Sequence, residues 1–304
     1  MSQSAIDRAD AATPPEVDAA QVALVSRGYW SSVLQRVWRD KVTIACGLVV
    51  LLIVLSAVFA GLLAPFDPYK TSMIQRLKPI GDGGFILGTD ELGRDMLSRL
   101  LHGGRLSLFM GITPVINALI IGGLLGVVAG FVGGRINMAI MRTVDVFYAF
   151  PSVLLAIAIS GALGAGLVNA IVSLTVVFVP PIARVTESVT TQVRTLDYVE
   201  AARASGARTF TVIRVHVLSN VLGPVFIYAT SLISVSIILA AGLSFLGLGV
   251  EPPEAEWGLM LNTLRQSIWV SPWVSALPGV MIFATSLSFN LLSDGLRSAM
   301  DVRL

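Results

Sequence analysis

Making or breaking a covalent bond takes a nucleophile, an acid–base pair or a metal, and the side chains that supply these are sparse in this chain. It holds two histidines, His102 and His216, and one cysteine, Cys46, among 304 residues. A metal site needs several such ligands converging on one ion. The two histidines fall on opposite sides of a membrane once the apolar windows between them are read as spans, which excludes a His–His site within one chain. Ser244 sits in Gly242-Leu243-Ser244-Phe245-Leu246, which lacks the second glycine of a nucleophile elbow. A phosphate-cradling loop ends in Gly-Lys-Ser/Thr, yet none of Lys41, Lys70 and Lys78 follows a glycine. No catalytic residue, no metal and no cofactor held by the chain itself is expected. Cys46, alone, permits no intrachain disulfide.

Hydrogen-bonding chemistry is readable instead around Asp197-Tyr198-Val199-Glu200-Ala201-Ala202. Asp197 and Glu200 stand three apart, where an N-cap side chain and an N3 carboxylate satisfy each other's exposed backbone donors. The spacing predicts a short helix starting at Tyr198 and passing through Ala201, Ala202 and Ala204. Gly206 suits the left-handed position that ends helices. Thr209 is then placed to cap a second helix carrying Phe210, Ile213 and Val217 on one side. The expected unit is helix, glycine turn, helix.

The elements around that loop follow from charge. Hydrophobic residues make up 55% of the chain and charged residues 13%, against about 25% charged in a soluble domain. Five uncharged windows run Val42–Phe66, Leu106–Gly134, Val146–Ala183, Val217–Val250 and Gln266–Ser293, each beyond the ~18 residues that mark a candidate span. The third is 38 residues long, and Gly161, Gly164 and Gly166 mark a turn within it. Six spans are predicted, at 42–63, 107–131, 143–162, 167–186, 221–243 and 273–293. The fold class is therefore all-α integral membrane. With both termini cytoplasmic, 14 of the 21 Lys and Arg fall inside and 7 outside, the bias that orients membrane proteins. Residues 1–26 read as a disordered cytoplasmic tail without a signal-peptide pattern. Residues 27–66 form an interfacial region and the first span, 67–106 a periplasmic segment, and 107–304 a five-helix core containing the cytoplasmic loop 187–220. A net charge of +2 without a basic block gives no reason to invoke nucleic acid.

Gly122, Gly126, Gly130 and Gly134 repeat at four-residue intervals along one face of the second span. Such a stripe lets a second helix approach closely, either within the chain or as a seam between two subunits. The segment from Thr89 reads as a capped amphipathic helix with Leu92, Met96 and Leu100 on one face and Asp95 paired to Arg99. Arg142 and Asp145 are spaced to pair at the entrance of the third span. Trp257, Trp269 and Trp273 read as interfacial anchors, and the acidic loop from Glu251 to Trp257 as a surface that can meet a periplasmic receptor.

Glu200-Ala201-Ala202, then Gly206, then Ile213, placed between spans four and five, resembles the EAA loop of ABC importer permeases. Further motifs resemble the "C" type of dipeptide, oligopeptide and nickel permease: Tyr29-Trp30-Ser31-Ser32-Val33-Leu34, Leu87-Gly88-Thr89-Asp90-Glu91-Leu92-Gly93-Arg94-Asp95, Phe245-Leu246-Gly247-Leu248-Gly249, Glu256-Trp257-Gly258 and Asp294-Gly295-Leu296-Arg297. Ser219 and Val302 stand where that family often has proline. The resemblance implies a six-helix permease in the bacterial inner membrane. It further implies a heterodimer with a second, distinct permease, a periplasmic solute-binding protein, and two cytosolic ATPases that carry the ATP and magnesium. Asp197, Tyr198, Glu200, Ala201, Ala202, Gly206, Phe210 and Ile213 would be the docking element for the ATPase. The solute class it implies spans dipeptides, longer peptides, nickel, glutathione and oligosaccharides. The rival reading is an ion-driven carrier, which usually places carboxylates near the membrane midplane; no predicted span core has one there.

Overall fold

The computed structural model describes residues 35–300. The expected tail, the Tyr29–Leu34 motif and the final residues 301–304 lie outside them. Asp40 accepts a hydrogen bond from the Val42 amide at 3.0 Å and another from the Thr43 hydroxyl, opening α1, Lys41–Val58. Its far end is closed by Arg105, whose guanidinium donates to the Ala57 and Val58 carbonyls at 2.7 and 2.9 Å. A cation there satisfies carbonyls that the helix leaves unpaired.

Helix α2, Met96–Val132, is capped by Asp95, which accepts from the Ser98 amide at 2.7 Å. Its 37 residues make a rod of about 55 Å, against a hydrocarbon core of about 30 Å. The helix that carries the predicted span 107–131 therefore extends back to Met96, and Arg99 and Arg105 are absorbed into it. Gly133, with φ +71°, ends it.

The third span, expected as one helix over 143–162, is instead two, α3 (Gly134–Tyr148) and α4 (Ser152–Leu163), bent by 88°. Pro151 is the cause: it donates no hydrogen bond and pushes Phe150 out of helical geometry. The predicted turn is present at Gly164 and Gly166, with φ +91° and +138°, while Gly161 stays inside α4. Helix α5, Leu167–Arg194, returns across the bundle. Then follow α6 (Asp197–Ala204), a single helical turn (Thr209–Thr211), a wider π-helical stretch (Val212–Val217) and α7 (Leu218–Phe245). The last two helices are α8, Trp257–Leu264, and α9, Pro272–Met300. Among the described residues, five helices are long and apolar enough to cross a membrane, and the bent pair makes a sixth crossing if counted as one.

Helices α2 and α5 hold the centre together, and the glycine stripe explains how. A Cβ at Gly122 would lie 2.7 Å from the Val179 carbonyl oxygen, at Gly126 2.6 Å from that of Ala183, and at Gly130 2.7 Å from that of Glu187. Backbone meets backbone, and only glycine fits. The stripe is thus an intrachain seam, and its reading as subunit packing is corrected: α5 of the same chain already covers these three positions. Gly134 lies past the helix end, at φ +55° with open space around it, and takes no part. Buried Val115, Phe131, Leu174, Phe178, Val221 and Val225 fill the space between α2, α5 and α7. A second apolar cluster joins α1, α2, α8 and α9 through Ile53, Met96, Leu100, Trp257 and Val274.

Candidate coupling loop and charged clusters

Helix α6 starts at Asp197, one residue before the predicted Tyr198, with Leu196 at the cap and no side-chain hydrogen bond there. Asp197 and Glu200 both lie inside the first turn, so the reciprocal capping bonds expected of them do not form. Their charge still suits the positive end of the helix dipole. Val199, fully buried, is what pins the helix to the bundle, while Asp197, Tyr198, Glu200 and Ala201 are exposed and Ala202 is half-buried. The helix ends as expected: Gly206 has φ +81°, its amide donates to the Arg203 carbonyl at 3.0 Å, and the Ala207 amide reaches the Ala202 carbonyl at 3.2 Å. This pair of bonds is the Schellman closure. No atom lies within 4 Å of a Cβ built at Gly206, so backbone conformation alone selects glycine.

The second helix differs from its prediction. Arg208, not Thr209, occupies the cap, and no side chain bonds there. The π-helical turn brings Val212 and Val217 onto one buried face, leaving Ile213 half-buried and Phe210 72% exposed. Phe210 therefore does not share a side with Val217; wider turns change which residues align. One contact ties α6 to a span helix and another ties it to the π-helical stretch. The Arg203 guanidinium lies 4.8 Å from the Phe131 ring centroid at the end of α2, and the Tyr198 and His216 rings are 6.2 Å apart. Arg194, at the end of α5, donates to the Phe131 carbonyl at 3.2 Å.

Among the charges, Asp145 pairs with Arg184 of α5 rather than with Arg142. Glu187 accepts from Asn137 at 2.6 Å and from Thr191 at 3.2 Å.

At the opposite end of the bundle the helix predicted from Thr89 begins only at Met96, leaving Leu92 in the loop before it. Thr89 and Asp95 form an isolated bridge, and Asp90 collects the Leu92 and Arg94 amides at 2.9 and 2.8 Å and the Arg94 guanidinium at 2.6 Å. Arg99, 2% exposed, pairs with Asp90 at 3.3 Å instead of Asp95, and donates to the Pro68 and Glu254 carbonyls at 3.1 and 3.3 Å. It thus joins three chain segments. Tyr69 donates to the Glu254 carboxylate at 3.0 Å, and burial together with that bond pushes its phenol up.

Sequence reasoning placed Glu256 on an acidic surface loop and missed its burial and its capping role. It is buried and caps α8, accepting from the Gly258 and Leu259 amides at 2.9 and 2.8 Å and from Ser107 at 2.8 Å. Burial pushes its carboxyl up, against the pull of those amides. An acidic residue directly before Trp257-Gly258-Leu259 is the N-cap signal that would have found it. Trp257 is no interfacial anchor: 1% exposed, it donates to the Leu100 carbonyl at 2.9 Å. Trp269 and Trp273 are exposed, as that role requires. Among the described residues no three His, Cys, Asp or Glu come together as a metal site.

Residues 122–304 match the model of a family described as "Binding-protein-dependent transport system inner membrane component", and residues 28–79 match the N-terminal transmembrane domain of oligopeptide transport permease C. The chain belongs to this permease family. Its relatives include a di/tripeptide transport system permease, DppC, of Pseudomonas aeruginosa, 45% identical over 84% of this chain and 86% of that one. A glutathione transport system permease, GsiD, of Pectobacterium atrosepticum is 40% identical over 96% of both chains. In fold, the permease is similar to a chain of the MetNI methionine ABC transporter in inward-facing conformations, with TM-score 0.56, 21% identity and coverage of 67% of this chain and 97% of that one. The permease is a multi-pass membrane subunit of an ABC importer, of the "C" type, and these relatives do not favour an ion-driven carrier.

Proposed function

We propose that this permease imports short peptides across the bacterial inner membrane, powered by ATP and magnesium bound on separate cytosolic ATPase subunits. The carrying observation is α6, held by one buried valine and closed by Gly206, with an exposed Tyr198 and Phe210 beside it. A short helix anchored on its inner side and bare on its outer side suits docking into a partner's groove. Asp197, Tyr198, Glu200, Ala201, Ala202, Gly206, Phe210 and Ile213 make up the docking element. The partners in this reading are a distinct second permease, two ATPases and a periplasmic binding protein. The excess of Lys and Arg on the α6 side supports cytoplasmic termini. The di/tripeptide and glutathione relatives support a peptide cargo.

Purification of the tagged chain from its native membrane tests the assembly, and reconstitution with its partners tests the transport. Labelled Ala-Phe should enter proteoliposomes only with ATP and binding protein present. Uptake driven by a proton or sodium gradient without ATP, or purification free of any ATPase, overturns the reading.

A further inference from the structure

Near the middle of α5 and α7, the bend between α3 and α4 leaves an open cavity of about 290 Å³. Phe147, Tyr148 and Phe150 line it from the bend, Phe178 and Pro181 from α5, and Leu232 from α7. Its volume is at the small end of ligand sites, which run from about 300 to 1,000 Å³, so it takes one or two side chains and not a long chain. A pair of opposite charges stands beside one of its lining residues, Tyr148. Asp145 precedes Tyr148 by three residues and Arg184 follows Pro181 by three, which puts both on the cavity's side of their helices. The Arg184 guanidinium pairs with Asp145 and lies 5.0 Å from the Tyr148 ring centroid. Both side chains stay partly open, at 46% and 38% exposure.

We infer that this cavity is a stopping place for a short zwitterionic peptide on its way through the permease. An apolar side chain fills the aromatic hollow, the peptide carboxylate takes Arg184, and the ammonium takes Asp145 and the face of Tyr148. The inference rests on the peptide-import reading above. Charge and size together select this occupant: a zwitterion exchanges one ion pair for two, and the hollow is too small for the acyl chains that come with a lipid headgroup. A partly exposed pair opens at little cost, and a site along a pathway must release what it holds.

The test uses the whole complex in nanodiscs without binding protein, with tritiated Ala-Phe and its C-terminal amide as probes read by scintillation proximity, and ATP-driven uptake in proteoliposomes beside it. Leu232→Trp fills the hollow and Arg184→Gln removes the cation beside Tyr148. Each is expected to weaken Ala-Phe binding about tenfold or more. The amide should bind the unmodified complex about tenfold more weakly than Ala-Phe, and Arg184→Gln should abolish that discrimination, which a merely structural arginine would not do. Unchanged binding and uptake in both variants overturns the inference while import stands. Loss of the second permease from Leu232→Trp, with Arg184→Gln indistinguishable from the unmodified complex, identifies a subunit contact and also overturns it. If the unmodified complex carries no peptide at all, the import reading falls first and takes this one with it.

Discussion

Gly206 shows how one residue can matter through backbone shape alone. At φ +81° with empty space around it, a side chain costs about 1–2 kcal/mol in conformation and nothing in collision. Gly206→Val should reach the membrane at normal levels yet lose ATPase copurification and solute-stimulated ATP hydrolysis; a variant that keeps both removes the loop from the coupling argument. Glu200→Ala should be milder, since Glu200 makes no capping bond and its interaction with the helix dipole is worth about 0.3–1 kcal/mol. Glu256 carries a pH signature. Its folded carboxyl titrates above the ordinary carboxylate value because it is buried, so between those two values the folded state binds more protons than the unfolded one. Its contribution is then largest at acid pH and declines as pH rises from about 4 through the folded value. Thermal unfolding in detergent should show that decline relative to Glu256→Gln; parallel pH curves for the two would refute it. The charge pairs mark where reading single residues from sequence stopped. Spacing offered Arg142 to Asp145 and Asp95 to Arg99, while the partners adopted, Arg184 and Asp90, come from packing that no local interval encodes.

At the scale of elements, the spans were legible because lipid forbids charge over a stretch of fixed length. The turn at Gly164 and Gly166 was legible for its positive φ, and the end of α6 for the same reason. Caps were missed by one residue at both Asp197 and Thr209, because tertiary anchoring through Val199 and Val212 decides where those helices begin. The bend at Pro151 was hidden inside the longest apolar window, where hydropathy does not vary. The π-helical stretch left no signal at all in hydrophobic spacing. The seam between α2 and α5 gives this scale its prediction. Gly126→Leu must force apart backbones that are now in contact, an overpacking that costs about 1–3 kcal/mol, and should lower the unfolding temperature and the yield of assembled complex. Gly123→Ala, with nothing within 4 Å of its Cβ, is the matched control and should do neither. A Gly126→Leu protein as stable as the control would mean the seam is looser than its geometry.

The described residues form a bundle tied by the buried Asp90–Arg99 pair at one end and by the Arg203 guanidinium on the Phe131 ring at the other. Which end faces the cytoplasm is a statement about labelling. Thr89 is fully buried and useless as a probe, whereas Ile74, 95% exposed, and Ser205, also exposed, are open. With Cys46 replaced by serine, Ile74→Cys should react with an impermeant thiol reagent from the periplasm and Ser205→Cys only after the membrane is opened. Equal reactivity of both from outside refutes the odd number of crossings assigned between Ile74 and the loop.

Because Gly122, Gly126 and Gly130 lock α2 against α5, these two helices form one lever arm instead of two independent struts. A tilt of ~5° over its ~55 Å would carry the far tip ~5 Å. Force applied at Arg203 and Arg194 would then arrive at Asp95 and Arg99 as displacement, with no relay of side-chain rearrangements needed along the way. The fulcrum has to lie among the neighbours that do not share the seam, and α4 and α7, flanking the bend, are the helices against which such a beam would turn.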